Sequence, residues 1–127
     1  MKTKTPDNHR HGDAADRAKA RLRADLTTAM RQKAVVRVRA LRNLLAALDN
    51  AEAVSNSERD ERYRVHAFLD GSAEVARLVL TEEEVTAILR REAATHRAAA
   101  SELSALCKME HAEALLAQAS IIETYLL

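Results

Sequence analysis

The sequence predicts an all-α fold of four main helices, with helices three and four forming an antiparallel hairpin packed on helices one and two. Three observations carry this. First, hydrophobic residues make up 47% of the 127 residues, yet aromatics only 2%, with two glycines and one proline. A chain dominated by Ala, Leu, Arg and Glu favours helix and has little to offer a strand. Second, apolar residues recur at intervals of three and four through long stretches, the period of a helix with one buried side. Third, Thr81 is followed three residues later by Glu84, the pairing that caps a helix N-terminus reciprocally. The length suits one domain with a modest core of Leu, Ile, Val and Ala, its helices in close approach.

Residues 1–13, with Pro6 and Gly12, are expected to form a flexible N-terminal arm. A single helical domain is expected over 14–127. Helix one is predicted from about Asp13 to Lys33, with Ala18, Leu22, Leu26 and Ala29 inward and Asp25 beside that side. Asp13 or Asp16 serves its N-terminus. Helix two, about Ala34 to Ala53, carries the apolar stripe Val38, Leu41, Leu44, Leu45 and Leu48, with Arg42 at its edge and Arg37 and Arg39 flanking. As the most apolar and most arginine-rich helix, it is the expected centre of packing. Val54-Ser-Asn-Ser57 reads as a loop, opening a long connecting segment over 54–80 with a bend at Gly71-Ser72. Helix three begins after Thr81 and turns Val85, Ile88, Leu89, Ala99, Leu103 and Leu106 inward. Helix four, about Lys108 to Leu126, buries Leu115, Ala119, Ile122, Tyr125 and Leu126. The short link between them makes them a hairpin.

The net charge of +1 conceals an asymmetry: residues 1–45 carry +8 and residues 46–127 carry −7. Attraction between the halves accounts for this within the fold; a polyanion such as RNA is the alternative partner for the basic half. Cys107 is the only cysteine, so no internal disulfide can form, which fits a reducing compartment. No apolar run approaches the roughly 20 residues of a membrane span, and the polar N-terminus lacks a signal core. A cytoplasmic protein with no membrane and no DNA partner is expected.

Glu92 falls in the middle of helix three's apolar side, one turn before His96. A buried carboxylate must be paired or neutralised, and Arg42 is the expected partner in a structural Arg42–Glu92 ion pair. The catalytic alternative is an acid–base pair of Glu92 and His96. No nucleophile or glycine-rich loop accompanies them. His9 with His11, and Cys107 with Glu110 and His111, are poor metal sets, so neither a metal nor a cofactor is expected. Nucleic-acid candidates are Arg17, Lys19, Arg21, Arg23, Arg31, Lys33, Arg37 and Arg39, which would follow phosphates without reading sequence. Stacking aromatics are missing beside them.

The order Arg37, Leu41-Arg42, Leu44, Ala46-Ala47, Asn50 and Glu52, preceded by Asp25 and Ala29-Met30, resembles the GatB/YqeY-like family. So do Leu80-Thr-Glu-Glu-Glu-Val85, Glu92, Arg97 and the closing Glu123-Thr-Tyr125-Leu126. The similarity extends over roughly 22–53 and 80–126. It implies an all-helical fold and kinship with the tail module of the GatB component of the tRNA-dependent amidotransferase. That enzyme amidates mischarged Glu-tRNA or Asp-tRNA, with glutamine as nitrogen donor. Free-standing members are classed by this kinship as carbon–nitrogen ligases with glutamine as amido-N-donor, without a defined reaction of their own. This chain departs from the family in ending at Leu127 without the second small helical domain, in its longer segment at 54–79, and in placing Cys107 where the family has a turn glycine. If that turn is left-handed, cysteine costs something on the order of 1 kcal/mol there.

The expectation is therefore a non-catalytic helical domain that binds tRNA or an amidotransferase-like protein, with Arg23, Arg31, Lys33, Arg37, Arg39 and Asn50 as binding candidates. The other readings are a protein-interaction module or homo-oligomer anchored by Tyr63, Phe68 and Leu69, and an amidotransferase-class enzyme acting alone.

Overall fold

The computed structural model describes the backbone of residues 8–70 and 79–126 and the side chains of 14–53 and 79–126. Four helices and no strand occur among them: α1 (Asn8–Arg31), α2 (Val35–Asp70), α3 (Glu82–Ala105) and α4 (Met109–Thr124). The α3–α4 contact is the most extensive, and α1 lies along α2. The two hairpins meet where α2 touches both α3 and α4 and α1 touches α3. As expected from its stripe, α2 packs against all three other helices, and α3 does so as well.

The core follows the predicted sides closely. Leu22 and Ala29 of α1, Leu41, Leu44 and Leu48 of α2, Val85, Ile88 and Leu89 of α3 and Ile122 of α4 are buried together. Val38, Leu45, Tyr125 and Leu126 pack half-buried at its edge. The apolar side of α3 does not stay covered along its length: Leu106 is 66% exposed. Ala100 and Ala112 are buried yet stand apart from the main core. There the hairpin closes on itself through small side chains.

Thr81 caps α3 as its sequence dictates. Its hydroxyl accepts from the Glu84 amide at 3.1 Å, and the Glu84 carboxylate accepts from the Thr81 amide at 2.8 Å.

Both hairpin turns have one construction. At the end of α1, the Lys33 amide bonds the Met30 carbonyl and the Ala34 amide the Ala29 carbonyl. At the end of α3, the Cys107 amide bonds the Ser104 carbonyl and the Lys108 amide the Leu103 carbonyl. This is the paired closure that needs a left-handed residue after the helix. Lys33 (φ 56) and Cys107 (φ 62) supply it without being glycine. Cys107→Gly is therefore expected to stabilise the protein by about 0.5–1 kcal/mol, the steric relief being partly offset by the freer unfolded chain. A raised Tm in thermal denaturation checks it.

Two boundaries differ from expectation. Residues 8–13, expected in a flexible arm, form the first turns of α1, and residues 1–7 lie outside the described residues. The expected loop at 54–57 is helix, because α2 runs on to Asp70. No glycine or proline interrupts 35–70, and Glu58 with Arg62 and Asp60 with Arg64 have the acid-before-base spacing of four that favours a helix. The long connection expected over 54–80 thus shrinks, its bend at Gly71-Ser72 lying outside the described residues. So do the side chains of Tyr63, Phe68 and Leu69 and those of His9 and His11.

Charge is sorted between the parts of the two hairpins whose side chains are described. Residues 14–53 hold nine Lys/Arg against four Asp/Glu, whereas residues 79–126 hold four against eight.

Candidate functional site

The Arg42–Glu92 pair is not formed. Arg42 is exposed on α2 and Glu92 half-buried on α3, and no ion pair among the described residues involves either. Nor do Glu92 and His96 form an acid–base pair, since His96 Nδ1 bonds the Glu92 backbone carbonyl, at 2.8 Å. A carbonyl only accepts, so Nδ1 carries a proton. His96 Nε2 lies 3.1 Å from Gln118 Oε1 and 3.4 Å from Asn43 Nδ2, and Asn43 donates to Gln118 at 3.2 Å. This network ties α2, α3 and α4 together.

The buried ion pair lies elsewhere, between α1 and α2. Lys19, 2% exposed, donates to Glu52 Oε1 at 2.7 Å and to Asp49 Oδ1 at 3.1 Å. Burial alone would discourage its charge. The hydrogen bonds to Glu52 and Asp49 outweigh that and hold the ammonium above the ordinary lysine range. Lys19 is thereby withdrawn from the set of expected phosphate contacts.

A third cluster joins the C-terminal end of α4 to α1. The Tyr125 hydroxyl donates to Asp25 Oδ2, and the Arg21 guanidinium lies 4.7 Å from the centre of the Tyr125 ring, a cation–π distance. Burial, then the bond to Asp25 and its negative charge, push the Tyr125 phenol up to about 12, against the opposing pull of Arg37 and Arg21. For an acid raised above its ordinary value near 10, the folded state retains the proton longer. The linked stability is present in full below pH 10 and is lost as pH climbs toward 12. Absorbance titration is expected to show a tyrosine ionising at about 12, and Tyr125→Phe to abolish that step.

The positions that carried the family resemblance divide in two. Glu52 is spent on Lys19 and Tyr125 on Asp25, while Glu123 takes Arg97 in a two-pronged pair at 2.6 and 2.9 Å. The hydrogen bond from Arg97 holds the Glu123 carboxyl below its usual range. Arg37, Arg42, Asn50 and Glu92 remain outside any such pair among the described residues.

The expected binding residues do not converge on one spot. Arg31 and Lys33 flank the α1–α2 turn beside exposed Met30 and Val35. Arg23 is exposed on α1 and Arg39 on α2, whereas Arg37 is half-buried near Tyr125. Asn50 lines a groove of about 440 Å³ between α2 and α3 that also takes in Glu92. Cys107, Glu110 and His111 are all exposed. Among the described residues, no group of three or more His, Cys, Asp or Glu is placed to hold a metal, and no helix is long and apolar enough to cross a membrane.

The feature of residues 14–53 that sequence alone could not supply is how their acids are used. Of Asp16, Asp25, Asp49 and Glu52, the last three are engaged by Tyr125 or Lys19. Arg23, Arg31, Lys33, Arg37, Arg39 and Arg42 have no ion pair among the described residues. Comparison with protein-family models, curated proteins and solved structures finds no match to this chain.

Proposed function

We propose that the chain is a non-catalytic helical module that holds a structured RNA, tRNA foremost, on the basic surface of α1 and α2, in the cytoplasm and beside an amidotransferase-like enzyme. The observation in its favour is the internal use of three of the four acids of residues 14–53, which leaves six cations without an ion pair among the described residues, at or near the surface. Cations without carboxylate partners carry only small counterions, whose release on meeting phosphates drives association. The spread of these side chains over two helices suits a phosphate backbone better than a small ligand. With no aromatic residue in 14–53 to serve as a stacking platform, it suits a folded strand better than a single one. The resemblance supplies the choice of tRNA and the link to a glutamine-dependent carbon–nitrogen ligase. The described clusters of Lys19, Arg97 and Tyr125 are each closed by their own partners, so the chemistry is assigned to the associated enzyme.

A tRNA titration tests this. With about four or five phosphate contacts, affinity is expected to fall on the order of a hundredfold between roughly 50 and 200 mM salt. Joint replacement of Arg31, Lys33 and Arg39 by Ala should flatten that salt dependence, while Arg97→Ala on the acidic hairpin leaves it in place. Absence of binding at low salt removes the reading.

A second reading, a protein-interaction module or homo-oligomer, is favoured by the exposed Leu106 and Met109 at the α3–α4 turn. Apolar side chains at such a tip are natural contact points. Light scattering that finds a monomer at all concentrations counts against self-association.

A further inference from the structure

We propose that the α2–α3 groove is a receptor for a guanidinium-tipped side chain, an arginine presented by a partner peptide. The groove, about 440 Å³, falls within the range of about 300–1,000 Å³ typical of small-ligand sites. Its floor is apolar and shallow-chained, with Ala47 and Ala51 from α2 and Leu80, Ala87 and Ile88 from α3. That floor fits the methylene stem of a long cation.

The polar side of the groove is unevenly charged. Glu84 and Glu92 both line it, against one cation, Arg91. Glu92 is half-buried, and no hydrogen bond or ion pair among the described residues reaches its carboxylate. Among the described residues, the other acids that are buried or half-buried have partners: Glu52 has Lys19, Asp25 has Tyr125 and Glu123 has Arg97. Glu92 is therefore a partly desolvated carboxylate with no match among the described residues. Glu84 uses one oxygen to cap Thr81, at 2.8 Å, and keeps the other for a donor. Asn50 adds an amide oxygen at the α2 wall.

A planar guanidinium offers donors in a fork that a carboxylate accepts in pairs, and it sheds water more easily than an ammonium. Arginine is thus the better fit to one half-buried carboxylate with two flanking acceptors. Arg91 sets a limit on context, because a second cation beside the bound one would face it. A lone arginine flanked by neutral or acidic residues is the occupant. This surface is separate from the basic face of α1 and α2, so it stands or falls independently of RNA binding.

The experiment is an NMR titration of the full chain with a capped Ala-Arg-Ala peptide and with its citrulline counterpart, which keeps the shape and removes the charge. The expected result is saturable shifts of Ala47, Ala51, Ala87 and Ile88, with Kd about tenfold weaker for citrulline. Glu92→Gln should weaken the arginine peptide by a similar factor. Glu84→Gln, which preserves the capping geometry, should weaken it by a few-fold. Circular dichroism of each variant establishes that the fold is intact. Ala87→Trp, filling the floor from an exposed helical position, should abolish the shifts without removing an acid. The proposal is overturned by any of three outcomes: no shifts in the groove, equal binding of the citrulline peptide, or an unchanged Kd in Glu92→Gln.

Discussion

Lys19→Met is expected to destabilise the protein by about 3–5 kcal/mol, the range for removing one member of a buried ion pair. The charge left behind is Glu52, 7% exposed at the α1–α2 seam, and Asp49 cannot neutralise it. The double variant Lys19→Met, Glu52→Leu should recover most of the loss, because two apolar side chains of similar volume need no partner. Urea denaturation of the single and double variants measures both numbers. A single variant as stable as the parent would show that water reaches the Glu52 carboxylate. The pair's pH dependence has a definite sign. Lys19 is held above its ordinary value of 10.5, so its contribution is complete below that pH and is lost only in more alkaline solution.

Leu44→Ala is expected to cost about 2–5 kcal/mol. Leu44 has no exposed surface and belongs to the cluster in which α1, α2, α3 and α4 all take part. The cavity it leaves is bounded by helices that also close on one another, so little collapse is possible. Leu106→Ala, at a position 66% exposed, should stay within about 0.5 kcal/mol. Chemical denaturation of the two variants gives the contrast directly. Equal losses would mean that the α3–α4 turn is covered by something in solution, as the interaction reading requires.

These two cases show which parts of the fold can be read from residue order. Leu44 and Leu48 are legible because burial on a helix is set by local period. Thr81 with Glu84 is legible because a cap is complete within four residues. The end of α2 is not, since Val54-Ser-Asn-Ser57 is poor helix but contains nothing that stops one. Partner choice across helices is the harder matter. A helical wheel tells which way Glu92 faces but not which level of the neighbouring helix lies opposite. The same logic of an inward acid matched by an inward base holds for Lys19 and Glu52. Lys19 lies between Ala15 and Leu22 on its stripe, and Glu52 continues the spacing of Leu41, Leu45 and Leu48. The signal is present, and it is hidden because a lysine within a basic helix reads as one surface cation among many. Asn43 and Gln118 give no signal, as their role exists only where three helices cross His96.

The segregation of charge between residues 14–53 and residues 79–126, nine cations to four acids in the first and four to eight in the second, gives the described part of the molecule a permanent electric dipole. In the field of a polyanion such a body turns before it touches. The α1–α2 side is drawn round to the front and the α3–α4 hairpin is carried behind, so collisions arrive already oriented and the capture rate rises. The torque fades within a Debye length, about 8 Å at physiological ionic strength. Orientation is therefore a last-moment correction, made over a distance comparable to the spacing of two packed helices.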